Sequence, residues 1–206
     1  MNLTSRDQPG RVFDPFTIGG RFLIVPPDHD LPAGEGLTRL RMAPGAFGSG
    51  EHETTAACLE LLAGLSMDAG TSVLDLGSGT GILAIAAVKL GAAHALCIDN
   101  DPDAVASCRR NAALNKVARQ LTTHLGTLAD APEGTHDLVL ANIYGDILLA
   151  EAESLVSRAR PGAPMVLSGI LHEQVFEVKK RYERLGCGTR STLMLSEFCT
   201  LLLEKQ

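Results

Sequence analysis

A chain of 206 residues is long enough for one well-cored domain with at most a small appendage. Hydrophobic residues make up 45% and charged residues 20%, the profile of a soluble globular protein, and no window approaches the ~18 consecutive apolar residues of a membrane span. With 18 basic against 24 acidic side chains the net charge is −6, which argues against broad attraction to nucleic acid. The opening MNLTSRDQPGR has no apolar stretch and is not expected to act as a secretory signal. Five cysteines (Cys58, Cys97, Cys108, Cys187, Cys199) form no C-x-x-C pair. They read as buried reduced thiols of a cytoplasmic protein rather than as disulfides or a metal site.

Residues 1–45 are rich in Pro and Gly, with one strand-like run at 21–25, and read as an N-terminal extension too short for a core of its own. Residues 46–206 read as the main domain. A leading helix is expected over 51–65. Strand-like and helix-like segments then alternate, which predicts an α/β fold with a parallel sheet covered by helices. The expected order is a strand at 72–76, a helix at 81–90, a strand at 93–98 and a helix from Asp101 to about 115. Pro102 takes the first helical position of the latter. Strands follow at 121–125 and 137–141, a helix at 147–158, a strand at 165–168 and a helix at 172–185. On that last helix Lys179, Lys180, Arg181 and Arg184 read as a solvated face. Two closing strands, near 189–195 and 198–203, are joined too closely for a parallel crossover and predict an antiparallel hairpin. A seven-stranded, mostly parallel sheet ending in such a hairpin is the expected form of a Rossmann-like class I methyltransferase.

The stretch VLDLGSGTGILAIAA, from residue 73, is a strand feeding a glycine turn at the head of a helix. Gly77, Gly79 and Gly81 spell G-x-G-x-G, whereas the dinucleotide fingerprint G-x-G-x-x-G needs a glycine where Ile82 stands. Asp75 precedes the turn. A carboxylate there disfavours a pyrophosphate and favours a cationic ligand such as S-adenosylmethionine; the alternative is that it accepts hydrogen bonds from nearby backbone N–H groups. Asp99, at the end of the second core strand, is placed to take both ribose hydroxyls of a nucleoside. Asp101 reads as a helix cap. Asn142, in ANIY after the fourth core strand, either holds an amine with its carbonyl oxygen or satisfies loop backbone. Tyr144 either lines an acceptor channel or packs. HETTA at 52–56 resembles the zinc motif H-E-x-x-H but has Ala56 in place of the second His, so no metal is expected. Nor does G-x-S-x-G occur, so a serine nucleophile is unsupported.

Taken together, PGAFGSGEHETT (44–55), VLDLGSGTGILAIAAVKLGA (73–92), CIDNDPDAV (97–105), ANIY (141–144) and LSGILHEQ (167–174) resemble the PrmA family, bacterial lysine methyltransferases of large-subunit ribosomal protein eleven. The resemblance runs from about Phe13 to the C-terminus. It implies that Thr55, Gly77, Asp99 and Asn142 contact S-adenosylmethionine, with Phe47 close by; Gly79 belongs to the same turn. Family members carry a substantial N-terminal recognition domain with no counterpart in these 206 residues. The customary Asp before Pro-Gly is Ala43, the spacing from Pro-Gly to Phe47 is one residue shorter, and the usual Thr of the next turn is Ser49. Short relatives without that domain methylate other proteins, including the electron-transfer flavoprotein beta subunit, so the acceptor stays open.

The expected reaction is in-line transfer of a methyl from a sulfonium to a nitrogen of a protein substrate, with no membrane and no direct nucleic-acid partner. It needs an uncharged amine, whereas free lysine titrates at ~10.4. Burial and a neighbouring cation push that value down. Asn142 is the expected catalytic residue, orienting the amine, since alignment alone is worth ~7–11 kcal/mol. Three alternatives stand beside this: a small-molecule N- or O-methyltransferase, a non-catalytic S-adenosylmethionine-binding module, and an NAD-dependent oxidoreductase that Ile82 and Asp75 disfavour.

Overall fold

The computed structural model describes residues 13–29, 34–43 and 52–206. Three short strands come first: β1 (Phe16–Ile18), β2 (Phe22–Val25) and β3 (Thr38–Arg41), with β1 antiparallel and β3 parallel to β2. The sequence suggested one strand here. Runs of three or four residues among Pro and Gly carry too little periodicity to read, and they persist because Ile18, Phe22, Ile24, Leu40 and Met42 bury themselves in the main core.

Helix α1 (Glu53–Ala63) leads into β4 (Ser72–Leu76), α2 (Ile82–Lys89), β5 (His94–Asp99), α3 (Pro102–Leu114) and β6 (Leu121–Leu125). After these come β7 (Leu138–Asn142), α4 (Gly145–Ala150), α5 (Ala152–Arg158) and β8 (Pro164–Leu171). A 3-10 turn (His172–Gln174), α6 (Val175–Arg184), β9 (Cys187–Met194) and β10 (Phe198–Lys205) complete the chain. β4 to β10 form one sheet in the order β6-β5-β4-β7-β8-β10-β9. The first five of these strands run parallel, and β10 is antiparallel to both β8 and β9. This is the Rossmann-like sheet with a C-terminal hairpin that the alternation predicted.

Two apolar layers hold the sheet. Cys58, Leu59 and Leu62 of α1, all seven residues from Ile82 to Val88 of α2, and the small N-terminal sheet cover one face. An apolar surface all round makes α2 a buried helix rather than an amphipathic one. Leu148, Leu155, Val178 and Tyr182 cover the other face. All five residues of β4 are buried, as expected of a strand covered on both sides. The five cysteines are buried and unpaired.

Two expected helices differ in detail. The segment read as one helix over 147–158 is two, divided at Glu151; Leu148 and Leu155, seven positions apart and so on one face, are both buried. The helix expected from residue 172 opens as a 3-10 turn before α6 begins. On α6 only Val178 and Tyr182 are buried, and the Tyr182 hydroxyl donates to Leu148 O at 3.0 Å. The remaining surface is solvated, with exposed ion pairs Lys180–Glu183 and Arg181–Glu153 that contribute little to stability. Among the described residues no helix is long and apolar enough to cross a membrane.

At the amino edge of the sheet Asp137 accepts from both the backbone and the hydroxyl of Ser72 and pairs with Arg160, stapling β4 to β7. Partial burial raises the Asp137 carboxyl, but the Ser72 hydrogen bonds and the Arg160 guanidinium outweigh it and hold the group at about 2. An unfolded aspartate titrates at ~3.9. Because the folded value is the lower one, this staple stabilises the fold fully above pH ~4 and its contribution is lost as pH falls towards 2. Asp137→Asn should therefore lower the urea midpoint at pH 6 and shrink the gap from the parent as pH drops. A gap constant from pH 6 to 2.5 would show that the staple carries no charge-dependent stability.

Candidate active site

The parallel strands end together, and their carboxyl edge gathers the residues singled out from the sequence. β4 runs into Gly77, whose N–H donates to Ile98 O (2.8 Å), and Ser78 N–H donates to the same oxygen. Gly77 and Gly81 have φ of 68° and 78°, the left-handed region that glycine enters without strain. Sterics demand glycine there as well. A Cβ on Gly77 would collide with the Ile143 side chain, and one on Gly81 would sit 2.5 Å from the Cys108 sulfur of α3. The third glycine thus serves close approach of α3, while Ile82 is buried in the core.

Asp99 ends β5. Its Oδ2 accepts from Gly79 N–H (2.8 Å) and its Oδ1 from Asp101 N–H (3.0 Å). The carboxylate is therefore fixed beside the glycine turn, and each oxygen keeps a lone pair for a further donor. Asp101 caps α3 through Asp103 N–H, with Pro102 following. Asp75 is fully buried beneath the turn, and its visible partner is Ala84 N–H in α2, 3.2 Å from Oδ2. Of the two readings open from the sequence, that contact is the backbone one. Burial pushes the Asp75 carboxyl up to about 7, the Ala84 bond opposes this, and the Asp99 charge adds to it.

Asn142 ends β7 and reaches α1: its Nδ2 donates to Thr55 Oγ1 at 3.3 Å, across 87 positions of sequence. Its Oδ1 accepts no hydrogen bond from the described residues. The HETT motif proves to be a clasp. His52 caps α1 and lies against Phe198, with ring centres 5.8 Å apart. Glu53 accepts from Ser196 and Glu197 N–H at the tip of the β9–β10 hairpin. Burial works against the Glu53 carboxylate, but these donors hold it below the usual range. Among the described residues no three His, Cys, Asp or Glu side chains gather as a metal-holding group. Phe47, like the whole stretch 44–51, lies outside the described residues. Tyr144 is exposed at the rim.

Two features escaped the sequence. Ile143 is wedged between the glycine turn and β8: its side chain abuts Gly77, and its carbonyl occupies the space a Cβ on Gly169 would need. Gly169 has φ of 83°, so the SGIL motif has a steric cause. Asn111 on the buried face of α3 and Asn115, the buried residue that caps its C-terminus, form a latch. Asn111 donates to Thr80 O in the glycine turn and accepts from Ala43 N–H, both at 2.9 Å. Asn115 bonds both backbone groups of Arg41. The chain entering the 44–51 motif is thereby pinned to the turn. Asn111 inside the helix was the available signal, since asparagine is a mediocre helix former and needs another reason to be there.

Residues 7–206 match the family described as "Ribosomal protein L11 methyltransferase (PrmA)". The "Ribosomal protein L11 methyltransferase" of Xanthomonas axonopodis pv. citri (strain 306) is 45% identical over 187 residues, covering 85% of this chain and 60% of the relative. That of Thiobacillus denitrificans (strain ATCC 25259 / T1) is 45% identical over 171 residues, covering 82% of this chain and 56% of the relative. The chain thus spans about three fifths of the length of the curated relatives it matches. In three dimensions the ribosomal protein L11 methylase of Lactobacillus delbrueckii subsp. bulgaricus superposes with a TM-score of 0.84 at 27% identity, over 95% of this chain and 100% of that one. An RNA methyltransferase from Salinibacter ruber in complex with S-adenosyl-L-homocysteine shares the fold at a TM-score of 0.58 and 22% identity, over 72% and 90% of the two chains.

Asn111→Ala deletes the hydrogen bonds to Thr80 O and Ala43 N–H, and should cost about 1–3 kcal/mol in urea unfolding. A loss no larger than that of an exposed α3 substitution would rule the latch out. The Asp75 environment has a pH signature of opposite sign to that of Asp137. Its folded value lies above the unfolded ~3.9, so stability is fullest below pH ~4 and declines until pH reaches about 7. Asp75→Asn, which keeps an acceptor for Ala84, should gain stability relative to the parent over that window and hold the gain above it. A pH-independent difference would mean that Asp75 ionises as an exposed aspartate does.

Proposed function

The chain belongs to the PrmA family, and from that premise we propose that it is an S-adenosylmethionine-dependent methyltransferase acting on a lysine amine of a protein, with ribosomal protein L11 as the first acceptor to test. The observation that carries this reading is the convergence of the glycine turn, the Asp99 carboxylate and the Thr55–Asn142 pair on one carboxyl edge. Ligands of open α/β sheets sit in that position.

The residues present suit the cofactor. Gly77 and Gly79 offer bare backbone, and Asp99 keeps acceptor capacity for ribose hydroxyls beyond its two backbone donors. Thr55 and Asn142 close the crevice from the side of α1 and β7, and Phe47 is expected near the same group. S-adenosylmethionine supplies, when bound, a methyl group carried on a positively charged sulfur. Asp75 lies buried below the turn with Oδ2 accepting from Ala84 N–H.

Asn142 has the geometry of an orienting residue. With its amide nitrogen engaged by Thr55, the carbonyl oxygen is left to accept from an incoming amine and aim its lone pair. A lysine entering the crevice must be neutral, and desolvation lowers its pKa from ~10.4. The proton leaves to water. Neither nearby carboxylate needs to take it: Asp75 is buried against α2, and Asp99 is held by two backbone donors.

Tritiated methyl from S-adenosylmethionine should appear in purified L11 when the two are mixed with this chain. Label found only in a small-molecule fraction would overturn the protein-acceptor reading. Asn142→Ala should reduce turnover by about 100-fold or more while leaving cofactor affinity by calorimetry within a few fold. Equal loss of both would reject orientation of the amine as its role.

A further inference from the structure

Among the described residues six large hydrophobic side chains stand exposed: Leu125, Tyr144, Ile147, Leu171, Phe176 and Met194. They are not scattered. Each lies at the carboxyl end of a strand or in the first turn of the helix that follows, on the edge of the sheet that carries the candidate active site. Leu125 stands apart at β6, while the other five ring the ends of β7, β8 and β9. Tyr144 is 68%, Phe176 74% and Met194 58% exposed, far more than packing would leave to large apolar groups, and contiguous apolar exposure marks interaction sites. Phe176 and Met194 border an open hollow of about 480 Å³ that also carries Lys179 and Lys180. Lys180 pairs with Glu183, which also lines the hollow, whereas Lys179 makes no ion pair among the described residues. Gln174, next in sequence to Val175 of the hollow, accepts from Leu171 N–H and lies against the backbone of Gly145, three residues past Asn142.

We propose that this rim is where the methyl-acceptor protein lies, through a segment that sets an apolar side chain into the Phe176–Met194 hollow and a carboxylate against Lys179. The inference rests on the reading that the crevice methylates a protein. An amine presented on a folded acceptor reaches Asn142 only if the acceptor's body covers the carboxyl edge, and that edge is where apolar surface is left open. In a chain of net charge −6, a cationic border on an apolar hollow selects an acidic segment. A small ligand buries most of its surface in a closed pocket, and this hollow is open.

The test is steady-state methylation of L11 by the full chain, the Phe176→Ser/Met194→Ser double variant and Lys179→Glu. Both variants should raise KM for L11 by about tenfold or more, with kcat and cofactor affinity near the parent values. The Lys179→Glu effect should shrink as salt rises. Unchanged cofactor affinity also reports that the variants are folded. KM unchanged in both variants, with L11 still methylated, would overturn the docking surface and leave the function standing. A change in sedimentation from dimer to monomer with KM unchanged would overturn it in favour of self-association. Cofactor binding by the parent with label entering small molecules and no protein of a lysate would refute the proposed function, and the docking surface with it.

Discussion

Ile143 is the point on which the candidate site depends. Its side chain fills the space next to Gly77, and its carbonyl fills the space next to Gly169. The ends of β4, β7 and β8 therefore close to a distance at which no side chain fits on either flanking strand. Ile143 N–H donates to Ser168 O, which fixes the register on the β8 side. Because Asn142 precedes Ile143, this packing sets where the amide stands relative to the glycine turn. Enlarging Gly169 would push the Ile143 backbone, and the amide before it, out of place, damaging the site without touching any residue that meets a ligand.

Helix ends supply the second layer of positioning. α1 does three tasks with four consecutive residues: His52 caps it, Glu53 holds the hairpin tip, and Thr54 and Thr55 are buried, with Thr55 meeting Asn142. α3 holds the glycine turn and the segment before residue 44 through Asn111 and Asn115. Both helices thus spend polar side chains on backbone groups of loops, which have no ladder of their own to satisfy them. Such contacts are individually modest, but they fix loops on a rigid scaffold, where binding residues do best.

The two sides of the glycine turn differ in character. Below it the site is dry. Asp75 is buried with its carboxyl raised to about 7, and burial drives the Cys58 thiol up to about 12, far from the thiolate that would react. Above it the strand ends open to solvent, and there the exposed apolar side chains collect. A crevice between a dry floor and an open apolar rim is suited to stripping water from a small polar group while a larger body rests on the rim.

Much of this architecture was written locally. Alternating apolar segments, the Asp101–Pro102 start of α3, the glycine turn and the short link between β9 and β10 each depend on neighbours within a few residues. The mostly parallel sheet with its closing hairpin and the placement of Gly77, Gly79, Asp99 and Asn142 at strand ends could accordingly be read from the chain. What tertiary structure alone decided was set by distance or by facing. β4 is buried on both sides and shows no alternation, so nothing in its sequence tells which way Asp75 points, and the fold turned it to α2. The three N-terminal strands are too short to announce themselves and exist by docking on α1 and α2. The apolar pattern runs unbroken through Glu151, so the break between α4 and α5 left no trace in it. Contacts such as Thr55–Asn142, Glu53–Ser196 and Asn111–Ala43 join residues dozens of positions apart. No local propensity encodes such pairs; they come into being only when the strands take their order in the sheet.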